Sequence, residues 1–161
     1  MAEAVSNTSP LLYLYRIQAL HLLPALFEEI WTPGAVAREL RVGNEKGHDV
    51  PEVSAYSWLR IIDPRSTPSK WLSSDLGPGE LAALALALEH PGKIVLLDDA
   101  LARRVAEAAG LTVWGTLRVL LEGKSLGLIE AITPSVDRLS EAGMRISPSI
   151  RRRVLALADE T

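Results

Sequence analysis

Residues 77–116 constrain the fold more than any other stretch of the chain. They run Gly77-Pro78-Gly79-Glu80, an Ala/Leu-rich segment to Glu89, Pro91-Gly92, and the apolar run 94–97. Asp98-Asp99 follow, then a second helical pattern closed by Gly110, and the short apolar run 111–114 before Gly115-Thr116. Gly77, Pro78 and Gly79 set a helix start just after them, which puts Glu80 in a first turn, where the helix dipole favours a carboxylate. Ala and Leu are strong helix formers, and a short helix that is apolar all round is expected to be buried on most sides. The run 94–97 shows no alternation, as expected of a strand covered on both faces. Strand, helix and strand joined by short connections form the parallel βαβ unit. In open parallel sheets sites lie outside the carboxyl ends of the strands, so Asp98 and Asp99 are well placed for chemistry.

The rest of the chain extends this α/β pattern. A short strand precedes Asn7, and a helix is expected from near Pro10 with Ser9 as its N-cap. Pro24 divides the next apolar segment into two short helices. Residues 29–32 read as a strand ended by Pro33-Gly34, and 35–40 as a helix carrying Arg38 and Glu39. Residues 43–49 are expected to be a mobile polar loop, 51–57 one or two helical turns, 58–62 a strand and 63–74 a loop. Helices are expected after Gly115-Thr116, from Thr133-Pro134 to Glu141, and from Ser147-Pro148 onward. With no repeat, low-complexity tract or long linker, residues 1–161 are expected to form a single domain.

Composition narrows the function. A chain of 161 residues is long enough for a real core. It has no cysteine, which excludes disulfides and thiolate metal sites. No apolar run reaches the roughly 18 residues that span a membrane. The N-terminus lacks a basic region before its apolar part, so a cytoplasmic location is expected. The net charge of −3 argues against a generally basic nucleic-acid binder, though an acidic metal site would itself add negative charge.

Single residue types have plain structural readings. Arg103-Arg104 and Arg151-Arg152-Arg153 are local basic patches able to meet phosphate, but the plainer reading of both is a solvated helix face. Trp31, Trp58 and Trp114 fall at or in strand candidates and read as core, whereas Trp71, in a loop, is the tryptophan placed to stack on a base. His21, His48 and His90 are scattered and carry no assignment, and Lys70 and Lys93 read as surface residues. Ser9 has no visible base, which leaves a serine hydrolase unsupported. No G-x-G-x-x-G follows a strand, and Asp98-Asp99 come too late in the chain for a phospho-acceptor receiver domain.

Asn7, Glu39, Glu80 and Asp98-Asp99 remain, each at an expected element end. Taken singly, such residues cap helices or are solvated. Taken together at one end of a parallel sheet, they form a hard-oxygen set suited to Mg²⁺ or Mn²⁺. The run Val5-Ser6-Asn7-Thr8-Ser9-Pro10, Pro33 with Glu39-Leu40, Gly77-Pro78-Gly79-Glu80, Leu97-Asp98-Asp99 and Val113-Trp114-Gly115-Thr116 resembles the PIN-like domain family. More narrowly it resembles a little-characterised prokaryotic branch related to VapC-type toxin ribonucleases.

The resemblance implies a three-layer α/β/α sandwich around a mostly parallel sheet. It also implies a metal-dependent endoribonuclease acting on single-stranded RNA, with an antitoxin or a second copy of the chain as further partners. It places Asn7, Glu39, Glu80, Asp98 and Asp99 as metal ligands and the four acids as the catalytic set, leaving open whether Asp98 or Asp99 is the principal ligand. Thr8 and Ser9 match hydroxyls that hold the ligating carboxylates, and Thr116 lies near the same layer.

Asn7 departs from the pattern by replacing a carboxylate with a neutral amide. Its carbonyl oxygen still ligates Mg²⁺, but the site loses one negative charge. Glu80, where many relatives carry Asp, is one methylene longer. Three outcomes follow: a weakened nuclease, a metal-free binding module, or a relic.

Overall fold

In the computed structural model, residues 1–71 and 75–161 are described. Among them the strands are β1 (Ala2–Ser6), β2 (Phe27–Thr32), β3 (Leu59–Ile61), β4 (Ile94–Leu96) and β5 (Val113–Trp114). The helices are α1 (Thr8–Arg16), α2 (Leu22–Leu26), α3 (Gly34–Glu45), α4 (Pro78–Glu89), α5 (Ala100–Ala108), α6 (Thr116–Ser125), α7 (Thr133–Glu141) and α8 (Pro148–Leu157). The strands form one sheet in the order β3-β2-β1-β4-β5, with every pairing parallel.

Successive side chains of a strand point to opposite faces, and the central strands are apolar on both. Ala4, Ile30 and Leu96 face one core with Leu11, Leu23, Val36 and Leu120 from the helices. Val5, Val95 and Leu97 face the other, with Ala83, Leu84, Ala102 and Ala106 from α4 and α5. The molecule is therefore a three-layer α/β/α sandwich, as expected. The unalternating run around β4 is fully buried from Val95 to Leu97 because both layers cover it. No helix among the described residues is long and apolar enough to cross a membrane.

Four expectations need correction. Helix α1 begins at Thr8, two residues before Pro10, because Asn7 is the extended cap residue (φ −80°, ψ 178°) and Ser9 lies inside the first turn. Helix α3 continues through Glu45 into the expected loop, and Gly43 lies against Val50, whose Cγ1 is 3.4 Å from where a Cβ would stand. Trp71 is only 6% exposed. A 3₁₀ turn (Ser69–Trp71) folds the chain back and buries its ring beside Leu76 and Leu84, so it is no base platform. Residues 72–74 of the expected loop lie outside the described residues.

Lys93 is also buried rather than a surface residue, at 7% exposure. The parallel register sets Ala4 against Ile94, which brings Glu3 beside Lys93. Lys93 Nζ donates to Glu3 Oε1 at 3.0 Å and lies 3.9 Å from the centre of the Trp31 ring. An ammonium is buried only with such partners.

The C-terminal segment is fastened by Glu160. Its Oε1 accepts from the Thr133 hydroxyl (2.6 Å) and N–H (2.9 Å), and its Oε2 from the Ile132 N–H (2.8 Å) and Lys124 Nζ (2.9 Å). Lys124 also donates to the Ala158 carbonyl. Burial pushes the Glu160 carboxyl up, but these donors outweigh it and hold the pKa at about 2, below the ordinary 4.5. A depressed carboxyl pKa stabilises the fold above the unfolded value, and that contribution is lost as pH falls through the folded value. Glu160→Gln should therefore lower the melting temperature by a few degrees at neutral pH. Melting curves of native and variant protein should converge as pH falls from about 4.5 towards 2, and a constant gap would refute the assignment.

Candidate active site

The strand order changes direction at the sheet centre. From β1 the chain builds outward through β2 and β3 on one side, and later through β4 and β5 on the other. The segments leaving β1 and β4 therefore diverge, α1 to one helical layer and α5 to the other. A crevice opens where they part, the usual site in open parallel sheets. Asn7 follows β1 and Asp98 follows β4 at this point of the sheet.

Backbone bonds fix this end of the sheet. The Asn7 N–H donates to the Leu96 carbonyl (3.1 Å), continuing the β1–β4 ladder one residue past the strand. The Thr32 hydroxyl donates to the Ser6 carbonyl (2.9 Å), which ties down the end of β2 as well. Asn7 is 3% exposed, and its amide oxygen accepts no hydrogen bond. An unsatisfied buried acceptor costs about 1–3 kcal/mol.

Each acid is gripped at a helix start, Asp98 and Glu39 by other helices and Glu80 and Asp99 by the helix each one begins. Asp98 Oδ1 accepts from the Thr116 N–H (2.8 Å) and Oδ2 from the Thr116 hydroxyl (2.7 Å). Glu39 Oε2 accepts from the Thr8 hydroxyl (2.5 Å) and Oε1 from the Gly79 N–H (2.9 Å). Glu80 Oε1 accepts from the Gly77 N–H (3.0 Å), closing the first turn of α4. Asp99 caps α5, its Oδ2 accepting from the Ala102 N–H (2.9 Å). Ser9 makes no bond to a carboxylate among the described residues.

Two glycines allow this approach. A Cβ at Gly79 would stand 2.6 Å from Glu39 Oε1, and one at Gly115 would stand 3.1 Å from Asp98 Oδ1. A side chain at either position would displace the acid it faces.

The charges interact. Burial raises the Glu80 pKa, the Gly77 N–H pulls it back, and the like charges of Asp99 and Glu39 raise it again. Burial also raises the Asp98 pKa, against the opposing pull of its two Thr116 bonds and the Arg103 guanidinium.

A model of the PIN domain family matches residues 3–160. The chain belongs to the PIN domain family. No curated protein matches it closely enough to add a named relative. PIN domains generally use divalent metal ions, and the donors here fit a hard cation in kind. All are oxygens, Asn7 offers an idle buried one, and every carboxylate keeps unused lone pairs. The acids do not form a ready cage. Among the described residues no three acidic or histidine side chains are grouped closely enough to hold a metal ion.

Two PIN-site neighbours were not identified as such from sequence. Asp63, just past β3, accepts from the Gly34 N–H (2.8 Å) and so caps α3, the helix that carries Glu39. Its signal is an Asp-Pro pair after a strand candidate. Arg103, read as a solvated helix residue, folds back towards Leu97 and Gly115 instead. Its signal is a spacing of one turn from the cap residue Asp99.

Thr116→Val keeps the shape of a fully buried side chain and removes one of the two donors to Asp98. Urea denaturation should show a loss of about 1–3 kcal/mol, the cost of an unpaired buried polar group. An unchanged midpoint would mean that the Thr116 hydroxyl does not hold Asp98.

Proposed function

We propose that this PIN domain is a Mg²⁺- or Mn²⁺-dependent endoribonuclease that hydrolyses phosphodiester bonds of single-stranded RNA. The observation that carries this reading is the Asn7 amide oxygen, buried without a partner at the end of β1, next to the strand that leads to Asp98. Asn7, Glu39, Glu80, Asp98 and Asp99 would hold the metal. When bound, such an ion offsets charge on the phosphodiester and activates water.

The chain's own residues do the positioning. Thr116 fixes both oxygens of Asp98, and Thr8 with the Gly79 N–H fixes both oxygens of Glu39. Hydrogen bonds that hold ligating carboxylates set their direction and tune their affinity. Beside Glu39, Ala35, Arg38, Val42 and Pro78 line a shallow groove, an approach for a chain with both apolar and anionic parts.

A second reading is a PIN-like binding module with weakened or lost chemistry. It is favoured by the neutral amide at Asn7 and by the spacing of the acids. The two readings part in a melting titration. If the native site is competent, Mn²⁺ should raise stability saturably, by about 2.7 kcal/mol at a hundredfold excess over Kd, and Asp98→Asn should lose the shift together with RNA cleavage. Under the second reading the native chain shows no shift, and Asn7→Asp creates one. Cleavage left unchanged by Asp98→Asn would sink the nuclease assignment.

The resemblance to VapC-type toxins extends the first reading to the toxin of a toxin–antitoxin pair acting in the cytoplasm, with a homodimer as a further partner state. Induced expression should then arrest growth, and co-expression of the adjacent gene's product should relieve the arrest. Growth at the uninduced rate would remove the toxin role.

A further inference from the structure

We propose that Arg103 contacts a phosphate of the RNA at this site, its guanidinium engaging the backbone of the strand lying across the crevice. The inference rests on the RNA reading above and adds the residue that grips the substrate's charge.

Its position is built. Arg103 lies one turn into α5, its N–H donating to the carbonyl of the cap residue Asp99 (2.9 Å). The side chain turns back over the end of β4, where Nη1 points at the Leu97 carbonyl, 3.4 Å away. The missing side chain of Gly115 provides the space: a Cβ there would lie 2.5 Å from Arg103 Nη1 and 3.1 Å from Asp98 Oδ1. The guanidinium and the Asp98 carboxylate thus converge on one glycine at the strand end.

Its donors are idle. Arg60, Arg118 and Arg151 spend their charge on Glu29 (2.7 Å), Glu122 (2.9 Å) and Asp137 (3.1 Å). Arg103 has no carboxylate within ion-pair distance among the described residues, and its one bond is longer than the usual 2.7–3.2 Å. A guanidinium carries five N–H donors in a planar fork that matches a phosphate. A half-buried Arg with unused donors is poorly explained as a brace for a single carbonyl. It is well explained as a phosphate contact, because it brings positive charge to the strand end beside the Asp98 carboxylate.

The test is fluorescence anisotropy with a short labelled oligouridylate in metal-free buffer across a salt series. It compares native protein, Arg103→Gln, Arg103→Lys and Arg104→Gln, the last replacing an exposed neighbour. Arg103→Gln should weaken binding about tenfold, the size of one charge-assisted contact. It should also flatten the slope of log K against log salt by about 0.7, the share of one single-strand phosphate. Arg103→Lys should keep the slope and recover part of the affinity, since Lys keeps the charge without the fork. Arg104→Gln should change both much less.

Binding by Arg103→Gln equal to that of native protein or Arg104→Gln overturns the proposal. Weakened binding with an unchanged salt slope also overturns it and marks Arg103 as a brace. If the native chain cleaves RNA while Arg103→Gln binds normally, only the role of Arg103 falls. If the native chain neither binds nor cleaves RNA, the RNA reading falls and Arg103 with it.

Discussion

Everything at the site depends on the parallel pairing of β1 with β4 at the centre of the sheet. That ladder runs one residue past the strand, through the Asn7 N–H and the Leu96 carbonyl, before the two chains separate. Helices packed on opposite faces then force them apart, since α1 joins the core around Ala4 and α5 the core around Val5. A gap at this point follows from topology and needs no special loop. Both strands are apolar on both faces, and the two cores close over them from either side. Asn7 and Asp98 are therefore held as firmly as the cores beneath them.

Backbone donors at the starts of helices solve the next problem, gathering negative charge in a half-buried place. The first N–H groups of a helix have no partner inside it, and a carboxylate supplies one. Here Gly77, Gly79, Ala102 and Thr116 donate to Glu80, Glu39, Asp99 and Asp98, all from residues at helix starts. The same bonds orient the acids and offset part of their repulsion. At Gly79 the missing side chain is required, since a Cβ there would stand 2.6 Å from the Glu39 oxygen that its N–H holds.

This division explains what the sequence revealed and what it hid. Strand ends, Gly-Pro punctuation and the first-turn Glu80 are local signals, and each marked its element to within a few residues. The acids stood out for the same reason. Thr8 and Thr116 were placed near the acids only through the family resemblance, and which acid each one holds was not legible, because Thr8 meets Glu39 from a neighbouring helix and Thr116 reaches back to Asp98 from the start of α6, contacts that only topology creates. Lys93 failed the surface reading because its neighbours Glu3 and Trp31 come from other strands. Trp71 failed because a polar, turn-rich segment gives no sign that a 3₁₀ turn will press one ring into the core. Arg103 was read first as solvated because its sequence neighbours are those of any exposed helix face.

Asn7 is where stability and chemistry meet. A carboxylate at this nearly closed position would be a buried charge, far costlier without a cation than a neutral amide. The amide can fold there unaided, and it leaves one oxygen unpaired in the crevice. The surrounding acids supply the negative charge from half-exposed ground, where water screens them and helix starts support them. Arg103 tilts the balance further, its guanidinium beside Gly115 opposing the rise that burial gives the Asp98 pKa. The charge balance at this end of the sheet is thus set by a neutral amide at Asn7, which tolerates burial, and by a guanidinium placed beside the Asp98 carboxylate.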